Sequence, residues 1–171
     1  MEILTFPNPI LRRQSKPVDN VTDEIRDILL TLHDTMIEHD GIGLAAPQIG
    51  ISQQMFVIDL RAGDGPIWFV NPEITQIGTA FSSMKEGCLS VPGAWGEVVR
   101  SAAVKISFTD FNGQKQQLEC VGLMSAAVQH EHDHLQGLFH LDRMVAHERR
   151  RAMHEAWPEL AHAASLGFAT G

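Results

Sequence analysis

The feature that most constrains the fold of this chain is a change of hydrophobic period, from helix to strand and back again. Thr22 caps a segment with Asp23 and Glu24 in its first turn, and Ile25, Ile28, Leu29, Leu32 and Met36 recur at helical spacing. A helix over 22–39 is predicted, ended by Asp40 and Gly41. From 54 to 120 the pattern turns to short β-branched and aromatic runs, read as strands over 55–59, 67–71, 74–78, 98–100 and 104–109. Val104, Ile106 and Phe108 alternate with polar residues, and Asn112-Gly113 precedes a further strand over 115–120, which predicts a hairpin with one wet face. From Leu123 the helical period returns and breaks at Gly137. Helices flanking a run of strands define an α+β domain with largely antiparallel sheets.

The first 21 residues carry Pro7, Pro9 and Pro17 among Ile3, Leu4, Ile10 and Leu11, an extended arm that docks through its apolar side chains. A charged, Ala-rich stretch from about 143 to Trp157 predicts a terminal surface helix stopped by Pro158, followed by a tail. With 171 residues and no internal repeat, the whole chain reads as one domain. Its 13 basic and 21 acidic side chains leave a net charge of −8, which disfavours sequence-independent binding to nucleic acid. No stretch approaches the roughly 20 apolar residues of a membrane span, and the start Met1-Glu2-Ile3-Leu4 resembles no export leader, so a cytoplasmic location is expected. The two cysteines, Cys88 and Cys120, are expected to stay reduced and play separate roles.

The densest chemistry lies in Gln129-His130-Glu131-His132-Asp133-His134-Leu135. On a helix His130 and His134 project from one face, close enough for both imidazoles to bind one metal ion. Leu123, Ala127, His130 and His134 follow steps of four, three and four, so the histidines extend an apolar stripe, opposite a polar face of Ser125, Gln129, His132 and Gln136. Met124, Val128, Glu131 and Leu135 form the adjoining stripe, which sets a carboxylate among apolar neighbours and raises its pKa toward the range useful for moving protons.

Two histidines leave a catalytic metal one protein ligand short. Cys88, in Glu86-Gly87-Cys88-Leu89-Ser90-Val91-Pro92, is one source; a plain buried thiol is the equal alternative for it and the better reading of Cys120. Gly41-Ile42-Gly43-Leu44-Ala45-Ala46-Pro47-Gln48 is a small-residue loop that permits close backbone approach, with Gln48 offering an amide donor for an oxyanion. His140, His147 and His154 recur at sevens near the Arg149, Arg150 and Arg151 run, the pattern of a solvated helix face.

Taken together, GIGLAAPQ, EGCLS and QHEHDHL, in this order and separation, resemble the three motifs of peptide deformylases. The resemblance extends over residues 1 to about 145, from Phe6-Pro7-Asn8-Pro9-Ile10-Leu11-Arg12 to the stretch following Gly137. It implies mixed, largely antiparallel sheets packed around a metal-bearing helix, and a hydrolase that takes the formyl group from the initiator methionine of new polypeptides and releases formate. By the same resemblance Cys88, His130 and His134 match the metal ligands, with ferrous iron as the native ion and zinc, nickel or cobalt as substitutes. Glu131 matches the proton-transferring residue, and Gln48 and the Leu89 N–H match the oxyanion donors. Ile42, Gly43, Met84, Leu123, Ala126 and Ala127 should contact the substrate, and Arg100 should pair with Glu86 or Asp133 to steady the ligands. Trp95 stands where many members carry arginine near the path of the peptide. N-formylmethionyl peptides are the implied partners, with a ribosome contact through the arginine run as a secondary reading.

Two other classes compete with this reading. A protease of the HExxH type would ordinarily draw its third ligand from a downstream His or Glu, which Cys88 in EGCLS argues against. A silent binding domain would be expected to lose Gln48, Leu89 or Glu131, and all three are present.

Overall fold

A computed structural model describes residues 1–158; the last residues of the expected tail lie outside the described part. Helix α1 (Asp23–Glu38) starts where its sequence dictates, with the Thr22 side chain accepting the Ile25 N–H. Its buried stripe of Ile25, Leu29, Leu32 and Met36 packs against β1 (Gly43–Ala45) and β2 (Met55–Ile58). These two strands continue into a five-stranded sheet of order β1-β2-β3-β6-β7, completed by β3 (Ile67–Gln76), β6 (Ala103–Thr109) and β7 (Lys115–Val121). Every pairing in it is antiparallel. The other sheet is a two-stranded ribbon of β4 (Phe81–Cys88) and β5 (Val91–Ser101).

Helix α2 (Gly122–Leu135) runs between the two sheets. Ala127, Val128 and Leu135 join Phe56, Phe69, Ile106 and Phe108 in a core beneath the five-stranded sheet. A separate cluster of Leu11, Val91, Val98, Phe139 and Leu141 lies under the ribbon and includes Ala152 of the terminal helix α4 (Ala146–Ala156). The helix carrying the histidines is therefore held from both sides, which is the α+β arrangement expected.

Several local expectations are corrected. The segment after α1 is not simply a loop: β1 and a 3-10 turn at Ala46–Ile49 are built from it, because Gly43, Leu44 and Ala45 find partners in Ile58, Val57 and Phe56. The runs at 67–71 and 74–78 form one strand, bent by a register shift where Asn71 adopts φ 49 and turns its side chain to the Val18 backbone. Strand β4 has no local strand pattern, because Ser82, Ser83, Lys85, Glu86 and Gly87 carry no strand signal. Ser125 does not face water: it is buried, and its hydroxyl donates to the Ser101 carbonyl, as does the amide of the half-buried Gln129.

The solvated helix face expected for His140, His147 and His154 holds for the last two, which are exposed on α4, and fails at His140. Gly137 at φ +74 ends the α2 turn, a short helix α3 (His140–Arg143) follows, and Met144 and Val145 are extended before α4 begins. No continuous helix joins His140 to His147 and His154, and His140 is buried.

Candidate metal centre

The ribbon and α2 bring distant residues to one point. Cys88 ends β4 beside a register shift, and its Sγ lies 3.2 Å from His134 Nε2. One donor atom from each of Cys88, His130 and His134 lies within 4.8 Å of the other two. Donors bonded to one ion at about 2.0–2.3 Å in a tetrahedron sit roughly 3.5 Å apart, a spacing within this bound, and three protein ligands leave room for water. The thiol and two imidazoles thus fit a first-row divalent metal.

Each histidine is held by its surroundings. His130 Nδ1 is 2.8 Å from Glu86 Oε2, so it donates to that carboxylate and leaves Nε2 free for a metal. Burial works against a charge on His130, yet its contacts with Cys88 and Glu86 hold its pKa well above the usual imidazole value. His134 is pushed the other way by burial, reinforced by the nearby His130. Glu86 accepts from the Arg100 guanidinium as well, and Arg100 reaches Asp133 at 2.9 Å. The expected choice between Glu86 and Asp133 is resolved as both, and Arg143 adds a second cation on Asp133 at 2.6 Å. Burial raises the pKa of Glu86, but the His130 and Arg100 contacts outweigh it and bring it down to about 2.

Glu131 lies one residue from His130 on the same helix and is buried. Burial pushes its pKa up to about 7. Its Oε2 has no hydrogen-bond partner among the described residues. Its other oxygen sits against Gly43, where an added Cβ would come within 2.5 Å of it, so only glycine lets β1 pass this carboxylate. Gln48 is also buried and locked: Oε1 accepts the Ala45 N–H at 2.8 Å, while Nε2 donates to Ser90 Oγ at 3.1 Å and lies 3.7 Å from Cys88 Sγ. An amide fixed at both ends presents its donor to the metal side without reorganising.

The residues expected to contact substrate differ in exposure. Ala126 and Ala127 are buried, Met84 is half-buried, and Leu123 and Ile42 are exposed. Trp95 is 51% exposed, with its indole over Gly87, where a Cβ would meet three ring atoms at 2.7 Å. Cys120 lies apart, buried in the sheet core, and burial pushes its thiol up to about 11. Two residues of this neighbourhood carry no signal of their place in the sequence. Ser90 gave no signal beyond its place in EGCLS, and the heptad spacing hid His140.

A thiol and two imidazoles on one side, with a buried carboxylate of raised pKa beside them, define a metal-dependent hydrolase of the HExxH class. The polypeptide deformylase family model matches residues 1–150. The peptide deformylase of Prochlorococcus marinus (strain MIT 9312) is 40% identical over 149 residues, covering 85% of this chain and 74% of that protein. That of Maricaulis maris (strain MCS10) is 38% identical over 155 residues, 89% of each. Among solved structures, a Synechococcus elongatus peptide deformylase in complex with actinonin superposes with TM-score 0.86 at 37% identity, covering 91% of this chain and 85% of that one. The Legionella pneumophila enzyme gives 0.85 at 34% identity, over 96% and 98%. The chain belongs to the peptide deformylase family.

Proposed function

We infer that this protein hydrolyses the N-formyl group of formylmethionyl polypeptides, releasing formate and a free amino terminus, and that the full chain acts as one catalytic unit. The observation that carries the reading is the convergence of Cys88, His130 and His134 beside the raised carboxyl of Glu131. Cys88, His130 and His134 hold the metal in this reading, and ferrous iron is the native ion, with zinc, nickel and cobalt as substitutes. The mixed thiolate and imidazole donor set supports a first-row divalent metal. When bound, the metal supplies Lewis acidity that lowers the pKa of water and polarises the formyl carbonyl.

The protein's own groups do the rest. Glu131, with a pKa near working pH, takes the proton of the attacking water and returns it to the departing amine nitrogen. The Gln48 amide and the Leu89 N–H donate to the oxyanion that develops at the formyl carbon. Glu86, Arg100 and Asp133 hold the His130 ring and the helix behind it. Ala126, Ala127, Met84, Leu123 and Ile42 form the apolar seat for the methionine side chain. Strand β1 is an edge of its sheet, and the backbone at Ile42 and Gly43 pairs with the extended substrate. Formyl carbon bears only hydrogen, so a tight site admits it and excludes bulkier acyl groups.

The location is the cytoplasm, consistent with two free cysteines; no described helix is long and apolar enough to cross a membrane. Nascent chains meet the enzyme at the ribosome in this reading.

Anaerobically purified protein should release formate from formyl-Met-Ala-Ser and leave an unformylated peptide uncut; absence of formate with metal bound defeats the assignment. Glu131→Ala should keep its metal and lose roughly 10²–10⁴-fold in turnover. Surviving turnover in that variant removes Glu131 from its role.

A further inference from the structure

We propose that His140 is a positioning residue of the metal centre, tying the ring of His130 to the ribbon that carries Cys88. The proposal rests on the reading of Cys88, His130 and His134 as metal ligands, and it goes beyond that reading because His140 is none of these.

His140 is 1% exposed, at the first position of α3. Its ring stacks on that of His130, with centroids 5.7 Å apart and planes 25° apart. Its Nε2 lies 2.9 Å from the Ala94 carbonyl oxygen on β5. A carbonyl only accepts, so His140 carries its proton on Nε2 and donates it to the ribbon. The preceding residue does a parallel job, since the Phe139 ring meets that of His134 edge-on, with centroids 5.8 Å apart. Two consecutive side chains thus back the two imidazoles.

The chain is bent to deliver them. Gly137 at φ +74 turns it sharply after α2, and a Cβ there would lie 2.5 Å from the Arg12 carbonyl oxygen. The Arg12 guanidinium covers the other residue of the pair, 4.3 Å from the Phe139 ring centroid.

His130 needs this second support because an imidazole turns easily about its outer side-chain torsion. The bond from Nδ1 to Glu86 fixes one atom, and the His134 ring meets the His130 ring edge-on with centroids 5.1 Å apart, which leaves a face of His130 still to be backed. A flat ring stacked on its face blocks the swing. Both restraints lead to the ribbon, one through Glu86 on β4 and one through Ala94 on β5. The helix-borne ligand therefore moves with the strand that bears the sulfur. A phenylalanine would stack as well without burying an unpartnered Nδ1, so the bond to Ala94 is what the imidazole contributes.

The test uses the full-length protein loaded with cobalt(II), reading the visible absorption bands and the rate at which a chelator removes the ion. His140→Phe keeps the stack and loses the Ala94 bond; His140→Leu loses both. Release should quicken ~10-fold in His140→Leu and ~3-fold in His140→Phe, with the bands displaced in both. Wild-type release and unchanged bands in His140→Phe overturn the proposal, and that variant carries the test alone if His140→Leu does not fold. A lowered melting temperature with unmoved bands and release also counts against it, since a purely structural residue would behave so. Full cobalt occupancy in Cys88→Ala would instead defeat the ligand reading.

Discussion

Two antiparallel hairpins in this molecule are built to opposite rules. The β6–β7 hairpin pairs without interruption from Ala103 with Val121 to Thr109 with Lys115, and it turns at Gly113 with φ +82. Its inward side chains are Val104, Ile106, Phe108 and Cys120, all apolar and buried. The β4–β5 ribbon slips register between Glu86 and Cys88, and its inner face carries Glu86 and Arg100 beside Val98. The first hairpin is specified by its own alternation. The second adds to its apolar packing a set of buried charges that α2 answers with Asp133 and His130. Ordered scaffold and reactive site are thus separated by what each strand pair asks of its neighbours.

The largest effect should come from breaking the ribbon's charge network. Arg100→Met leaves Glu86 without its buried cation, and Asp133 with Arg143 alone, and should cost about 3–5 kcal/mol in urea unfolding, with loss of metal. A cost no greater than that of a single core methyl would mean that the ribbon is held by apolar packing after all. Next comes acid. Glu86 has a folded pKa of about 2 against an ordinary 4.5, so its contribution is complete above pH 4.5 and is lost as pH falls toward 2. That contribution is on the order of 3 kcal/mol, and Glu86→Gln should flatten the corresponding slope of unfolding free energy between pH 4.5 and 2.5. An unchanged slope would place the acid sensitivity elsewhere.

In the other hairpin, Ile106→Val should cost about 0.5–1.5 kcal/mol while metal content and formate release stay at wild-type values. Altered metal content there would blur the division between scaffold and site. The smallest stability effect is expected at Trp95, half exposed on the ribbon: Trp95→Ala should shift unfolding by no more than about 0.5 kcal/mol. Its indole lies over Gly87, next to Cys88, so KM for formyl-Met-Ala-Ser should still rise ~3-fold with kcat unchanged. An unchanged KM would make Trp95 a cover for Gly87 and nothing more.

The same contrast explains what was legible. Helix α1 follows from Thr22, two acids and a clear stripe, and β6–β7 from alternation plus Asn112-Gly113, since these signals are local and agree with the tertiary outcome. Strand β4 was invisible because its inward Glu86 and Cys88 are placed for chemistry, against strand propensity. Helical periodicity puts Ser125 toward water, because it holds no information about the Ser101 carbonyl that stands opposite it. His140 was assigned to a solvated face on spacing that holds only along one unbroken helix, and Gly137, Met144 and Val145 break it.

From the sequence alone came the α+β class, the family resemblance and the set of residue types that converge on one ion, because period, capping and motif spacing are properties of short stretches of chain. Only the folded molecule decided that Arg100 serves Glu86 and Asp133 together, that Gly43 makes room for Glu131, and that His140 stands behind His130. These are contacts between residues far apart in the chain or across separate elements. Their energies arise from burial and from the loss of water around charges, which no local pattern records.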